Sequence, residues 1–169
     1  MPGKIIIAPE YVDVEGPLIF LAGPIQGAPL WQESAMSQLD ILAPNVHIAS
    51  PRRRTEYNGE FTPAMYDEQV DWETFFLNRA ANNGVVLVWC AKEAVHDCKR
   101  AYAQTTRAEL FEWKVKHERD GINLALGIEA RYTGAKYIRR RFSQDCPKIQ
   151  IQPSLEKTCI EAVRQIYKV

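Results

Sequence analysis

The chain reads as a single-domain α/β protein with three layers: a five-stranded, mostly parallel sheet with helices on both faces. Three observations predict this. Short apolar runs alternate along the chain with longer amphipathic stretches, the order that builds a parallel sheet through helical crossovers. The runs Leu18–Ala22 and Val85–Cys90 are continuously apolar, as strands buried on both faces are. The 169 residues contain no internal repeat, low-complexity tract or linker, which fits one domain, residues 1–169, with a core of its own.

The elements follow in order. Residues 1–15 form an N-terminal arm or an edge strand, with Ile5–Ala8 as its apolar part. Leu18–Ala22 is the first core strand and ends at Gly23-Pro24. Pro29–Leu42 places Leu30, Ala35, Met36, Leu39 and Leu42 near helical spacing. Val46–Ser50 is a short strand stopped by Pro51, and Arg52–Pro63, with its charges and Asn58-Gly59, reads as a long loop. Ala64–Asn82 is helical and stops at Asn82-Asn83-Gly84. Val85–Cys90 is the third strand. Thr105–Arg119 is a helix with Thr105 or Thr106 as N-cap and Asp120-Gly121 after it. Asn123–Ile128 is a fourth strand, Thr133–Phe142 a helix, Lys148–Gln152 a fifth strand, and Ser154–Tyr167 a final helix capped by Ser154.

Composition narrows the function. Lys+Arg and Asp+Glu both number 21, so nothing in the overall charge favours a nucleic-acid polymer. No apolar run approaches the ~18 residues of a membrane helix, and the first residues lack signal-peptide anatomy. The expectation is a soluble, cytoplasmic protein. Cys90, Cys98, Cys146 and Cys159 are scattered and do not cluster with His47, His96 or His117, so neither a disulfide framework nor a metal site is expected. Cys98 has no evident base to activate it as a nucleophile.

In a parallel sheet, ligands sit beyond the carboxyl ends of the strands, at a topological switch point. That rule singles out Gly23–Trp31, Pro51–Pro63, Ala91–Thr106 and Ile128–Thr133. At Gly23-Pro24, glycine permits close backbone approach and proline fixes the path; an ordinary strand-to-helix turn explains the pair equally well. No dinucleotide or phosphate-loop fingerprint is present. Trp31, Trp72 and Trp89 are candidates to cover a base, against the plainer reading of core packing. In Tyr66–Asn78, the residues Tyr66, Gln69, Glu73 and Phe76 share a helical face. Glu73 among aromatics is a candidate acid with a raised pKa; the alternative is a half-buried glutamate paired with Arg79 or a loop arginine. Asp71 lies on another face. In TTRAELFEW, Thr105–Trp113, Glu109 and Glu112 fall in the first turns of a helix. The helix dipole keeps a carboxylate there ionised, and such a carboxylate is a competent nucleophile toward an acetal carbon. Simple complementation of the dipole is the competing explanation.

FLAGPI at the end of the first core strand, then QVDWE, an apolar strand and TTRAEL at a helix start together resemble the nucleoside 2-deoxyribosyltransferase family, and a later IEARYTGAKYI resembles that family's related branch. The resemblance runs from about Leu18 to Arg141. It implies a flavodoxin-like fold and cleavage of the N-glycosidic bond of 2′-deoxynucleosides, with the deoxyribosyl group passed to a second free nucleobase. By the motif match, Glu109 is the nucleophile. R-A-E-L-F stands where the family has G-x-E-L-G, so Arg107 and Phe111 replace small residues. The family's second acidic residue falls at Phe76 in the closest register; Glu73, one turn earlier, takes its place, with Asp71 second. Ala22, Gly23, Pro24, Ile25 and Gln26 would line the base pocket. GPIQGA has neither the serine nor the arginine of the nucleotide-hydrolysing branch, which points to free nucleosides, with Thr105, Thr106 and Arg107 as possible phosphate contacts. The implied mechanism uses no metal and no cofactor. The resemblance also implies a homo-oligomer, from dimer to hexamer. A deoxynucleoside or deoxynucleotide hydrolase, a silent nucleotide-binding module and a partner-binding domain using Arg139–Arg141 are the alternatives.

Overall fold

The computed structural model describes residues 1–54 and 62–168. Residues 55–61 of the expected long loop, Asn58-Gly59 among them, lie outside the described residues. The elements are β1 (Ile5–Ile7), β2 (Leu18–Ala22), α1 (Trp31–Leu42), β3 (His47–Ser50), α2 (Pro63–Asn82), β4 (Gly84–Cys90), α3 (Gln104–Asp120), β5 (Leu124–Ile128), α4 (Ala135–Asp145) and α5 (Leu155–Tyr167). The five strands form one sheet in the order β1-β3-β2-β4-β5, and every pairing is parallel. This is the predicted three-layer α/β fold.

Every residue of β2 and β5 is buried, and so is β4 apart from its first residue. On one face, Ile19, Leu21, Val85 and Leu87 pack against Trp31, Ala35 and Leu39 of α1 and Cys159 and Ala162 of α5. On the other, Phe20, Val86, Val88 and Leu126 meet Trp72 and Phe76 of α2, Leu110 and Trp113 of α3, and Phe142 of α4. Successive strand residues alternate between these two cores, as the pleat requires. Arg79 fastens the segment before β2 by donating to the carbonyls of Val14 (3.1 Å) and Gly16 (2.6 Å).

Several boundaries differ from the sequence reading. Lys148–Gln152 is not a strand: only Gln152 bridges β5, giving its N–H to Leu126 (2.8 Å) and accepting from Ile128 N (3.0 Å). The Ile149 N–H is turned back onto Cys146 O (3.0 Å), and Pro147 and Pro153 bracket the segment, so a longer ladder cannot form. The fifth strand is β1, at the opposite edge. The N-cap of α3 is Ala103, in the left-handed region at φ 55°, with no side-chain cap; Thr105 and Thr106 are inside the helix. By contrast, Ser154 caps α5 as expected, accepting from Lys157 N at 3.3 Å, and Thr62 caps α2. No described helix is long and apolar enough to cross a membrane.

Candidate active site

The chain leaves β2 toward β3 on one side of the sheet and leaves β4 toward β5 on the other. The loops after β2 and β4 therefore diverge and leave a crevice between them. The β2 loop is built to stay in place. A Cβ on Gly23 would collide with the Trp89 carbonyl and lie 2.6 Å from the Trp31 ring, so only glycine fits. Trp31 Nε1 donates to Pro24 O at 2.8 Å, from beneath. The turn Ile25–Ala28 closes through Ala28 N to Ile25 O (3.3 Å), with Gly27 at φ +76° in its third position. Gly27 O then accepts from Ala94 N (2.7 Å) and Val95 N (3.0 Å), which ties this loop to the one after β4.

Above lies a cavity of about 870 Å³. Ala22–Ala28 form one wall, the start of the β3 loop and α2 a second, and the β4 loop with the first turns of α3 a third. Glu73 from α2 and Glu109 from α3 both line it, and their carboxyl groups are hydrogen-bonded to each other. Gln69, one turn before Glu73 and 7% exposed, orders this pair. Its Nε2 donates to Pro51 O (2.8 Å) and to Glu73 Oε1 (2.8 Å), and its Oε1 accepts from Arg53 Nε (2.9 Å). These partners fix which end of the amide faces Glu73. Arg53 is held in turn by Glu68 at 2.6 Å.

The electrostatics follow from these contacts. Burial pushes the Glu109 carboxyl up, and the neighbouring Glu73 and Glu112 charges push it further, to about 8. Burial also raises Glu73, but the hydrogen bonds from Gln69 and Glu109 pull it back. Gln69 can only donate to Glu73, and so favours its charged form. The last proton the pair gives up therefore rests on Glu109, beside Glu73. This corrects the expectation that the helix dipole keeps Glu109 ionised: it sits in the second turn of α3, beyond the dipole's reach, and burial beside a carboxylate dominates.

The structure brings together Ala22, Gly23, Pro24, Ile25, Gln26, Glu73, Thr106 and Glu109 around the cavity. It does not bring the tryptophans there. Trp72 is fully buried against Phe20 and Phe76, with its Nε1 on Glu10 O (2.7 Å). Trp89 and Trp31 pack into the core on the other face of the sheet. Asp71 is exposed and off the cavity wall. Arg107 also faces elsewhere, donating to Thr133 O (3.0 Å) and lying over the Tyr132 ring. Arg79 is committed to backbone carbonyls and does not pair with Glu73.

The sequence reading missed three arginines on the wall: Arg52, Arg53 and Arg100. Arg52 Nη1 lies 3.4 Å from Ile25 O, and Arg100 Nη1 donates to Gln26 Oε1 at 2.8 Å. Burial works against the Arg52 charge, with Glu33 opposing that effect. Their signal was position: all three lie in segments that follow the carboxyl ends of β3 and β4. Scans against protein-family models and against curated proteins found no match.

Proposed function

We propose that the protein cleaves the N-glycosidic bond of a 2′-deoxynucleoside unit and passes the deoxyribosyl group to a second nucleobase through a covalent intermediate on Glu109. The observation that carries this reading is that the Glu73 and Glu109 carboxyl groups are brought together inside a cavity at the switch point of the sheet. A site with one carboxylate and one carboxylic acid supplies both groups that glycosyl transfer with retention needs, a nucleophile and a proton donor. The order of the FLAGPI, QVDWE and TTRAEL motifs, which resembles the nucleoside 2-deoxyribosyltransferase family, supports the same reading.

The steps use only these groups. As substrate enters, the proton crosses from Glu109 to Glu73 along their hydrogen bond. The freed Glu109 carboxylate attacks C1′ while the C1′–N bond breaks, and the departing base takes the proton from Glu73. A second base then attacks C1′, gives its N–H proton to Glu73, and releases Glu109. The two displacements give net retention and ping-pong kinetics. A 2′-hydroxyl would make the oxocarbenium-like state harder to reach, which favours deoxyribose. The backbone of Gly23–Gln26 faces the base. We place the protein's self-association, as dimer to hexamer, at the α2 side, where Tyr66, Val70 and Phe75 remain exposed.

The test is chromatographic. Purified protein is given thymidine or deoxyinosine, with and without free adenine and cytosine. A new deoxynucleoside that forms only with the added base is the expected result. Free deoxyribose would make the protein a hydrolase, and no turnover of any deoxynucleoside or its 5′-monophosphate would overturn the enzymatic reading.

A further inference from the structure

Two of the wall arginines have no role in the carboxyl pair. Arg52 follows β3 and Arg100 follows β4, yet both reach adjacent residues of the β2 loop, one at Ile25 and the other at Gln26. Each guanidinium spends one donor there on a neutral oxygen. Arg53 is different, being held by Gln69 and Glu68. No carboxylate of the described residues lies within 4 Å of the Arg52 or Arg100 guanidinium, whereas Arg53, Arg141 and Arg164 all have one. Asp97, also on the wall, instead accepts the Lys99 N–H at 2.9 Å. The loop makes room for this arrangement: a Cβ on Gly27 would lie 2.8 Å from Arg100 Nη2.

Burial works against the Arg52 charge, and among the described residues Glu33 offsets this without forming an ion pair with it, so an anion held between the two guanidiniums would lower that cost further. Two guanidinium forks that reach the same loop from different walls of the cavity, each with four donors left, match the oxygens of a phosphate dianion. A deoxynucleoside is neutral at neutral pH, and it gains such a group as a phosphate ester on its sugar. We infer that Arg52 and Arg100 form a phosphate subsite and that the substrate is a 2′-deoxynucleoside 5′-monophosphate. This rests on the reading of the carboxyl pair as a glycosyl-transfer site, and it replaces the free nucleoside expected from the GPIQGA loop. The cationic side chains come from the loops after β3 and β4 rather than from the β2 loop itself.

The test is equilibrium binding to the Glu109→Gln protein, with thymidine and deoxyinosine titrated against their 5′-monophosphates. The monophosphates should bind ~10–100-fold more tightly, the range expected of charge-assisted hydrogen bonds, and inorganic phosphate should compete with them. In R52Q and R100Q backgrounds the ratio should fall toward one, while R52K and R100K keep part of it and guard against a folding defect. Equal affinity for nucleoside and monophosphate, or a preference that survives both glutamine variants, overturns the subsite. Base exchange by the wild-type protein without phosphate preference would remove the subsite and leave the chemistry standing. Arginine-dependent monophosphate binding with no bond cleavage would do the reverse.

Discussion

Glu109 and Glu73 act as one titrating unit, and Gln69 decides where its proton sits. The proposed mechanism needs one proton on the pair, so kcat/KM should fall as pH rises through about 8, where Glu109 loses it. Replacing Gln69 with Leu removes the hydrogen bond that favours the Glu73 charge. The Glu73 pKa then rises, the pair holds its last proton longer, and the alkaline limb of the pH–rate profile moves upward. An unmoved limb would show that Gln69 is only structural. Stability carries the opposite mark of the same proton. Folding raises the Glu109 pKa from 4.5 to about 8, so the native state binds the proton more tightly than the unfolded chain. Stability is therefore lost as pH rises between those values. Glu109→Gln keeps a donor toward Glu73 and removes that loss. It should abolish turnover yet raise Tm at pH 8 by on the order of a few degrees, with little change near pH 4; a lower Tm at pH 8 would contradict the burial argument. Helical spacing and motif order singled out Glu73 and Glu109, and both line the cavity. The proton's location was not legible in the sequence, because it depends on a three-way hydrogen-bond geometry around one amide.

The β2 loop shows what an element contributes. Gly23 passes between the Trp31 ring and the Trp89 carbonyl, and Trp31 and Gln32 hold Pro24 O from α1. The tryptophans thus serve the site from beneath, by fixing the loop rather than by touching a ligand. Gly23→Ala should cost ~1–3 kcal/mol through overpacking, read as a lower Tm, and should weaken base binding because the loop must shift; an unchanged Tm would mean the contact relaxes freely. Continuous apolarity marked β2 and β4 plainly in the sequence. The edges were less legible. Ile5–Ile7 and Lys148–Gln152 are both short apolar-rich segments, and what separates them is partner geometry. Ile5–Ile7 finds Ile48–Ser50 in register, whereas a turn at Cys146 and two prolines leave Gln152 alone to pair. The start of α3 was misplaced because its first turn is set by the left-handed Ala103, a conformation that alanine does not advertise.

On the scale of the whole molecule, the sheet order positions the candidate site. β2 and β4 are neighbours whose chains depart in opposite directions, so three loops and the starts of two helix-borne walls converge on one crevice. That convergence joins Glu73 and Glu109, 36 positions apart by number, and Arg52 and Arg100 from separate loops. The rule for parallel sheets found the crevice from the sequence, but which side chains turn into it was settled by packing. Arg107 was expected there and instead caps the Thr133 carbonyl, while arginines from the neighbouring loops take the wall. The most direct measurement is intact-protein mass spectrometry after rapid acid quench during turnover of a 2′-deoxynucleoside or its 5′-monophosphate, followed by peptide mapping. The account predicts a deoxyribosyl adduct on the peptide containing Glu109, absent in Glu109→Ala. Turnover with the adduct on another residue, or turnover that persists in Glu109→Ala, would contradict it.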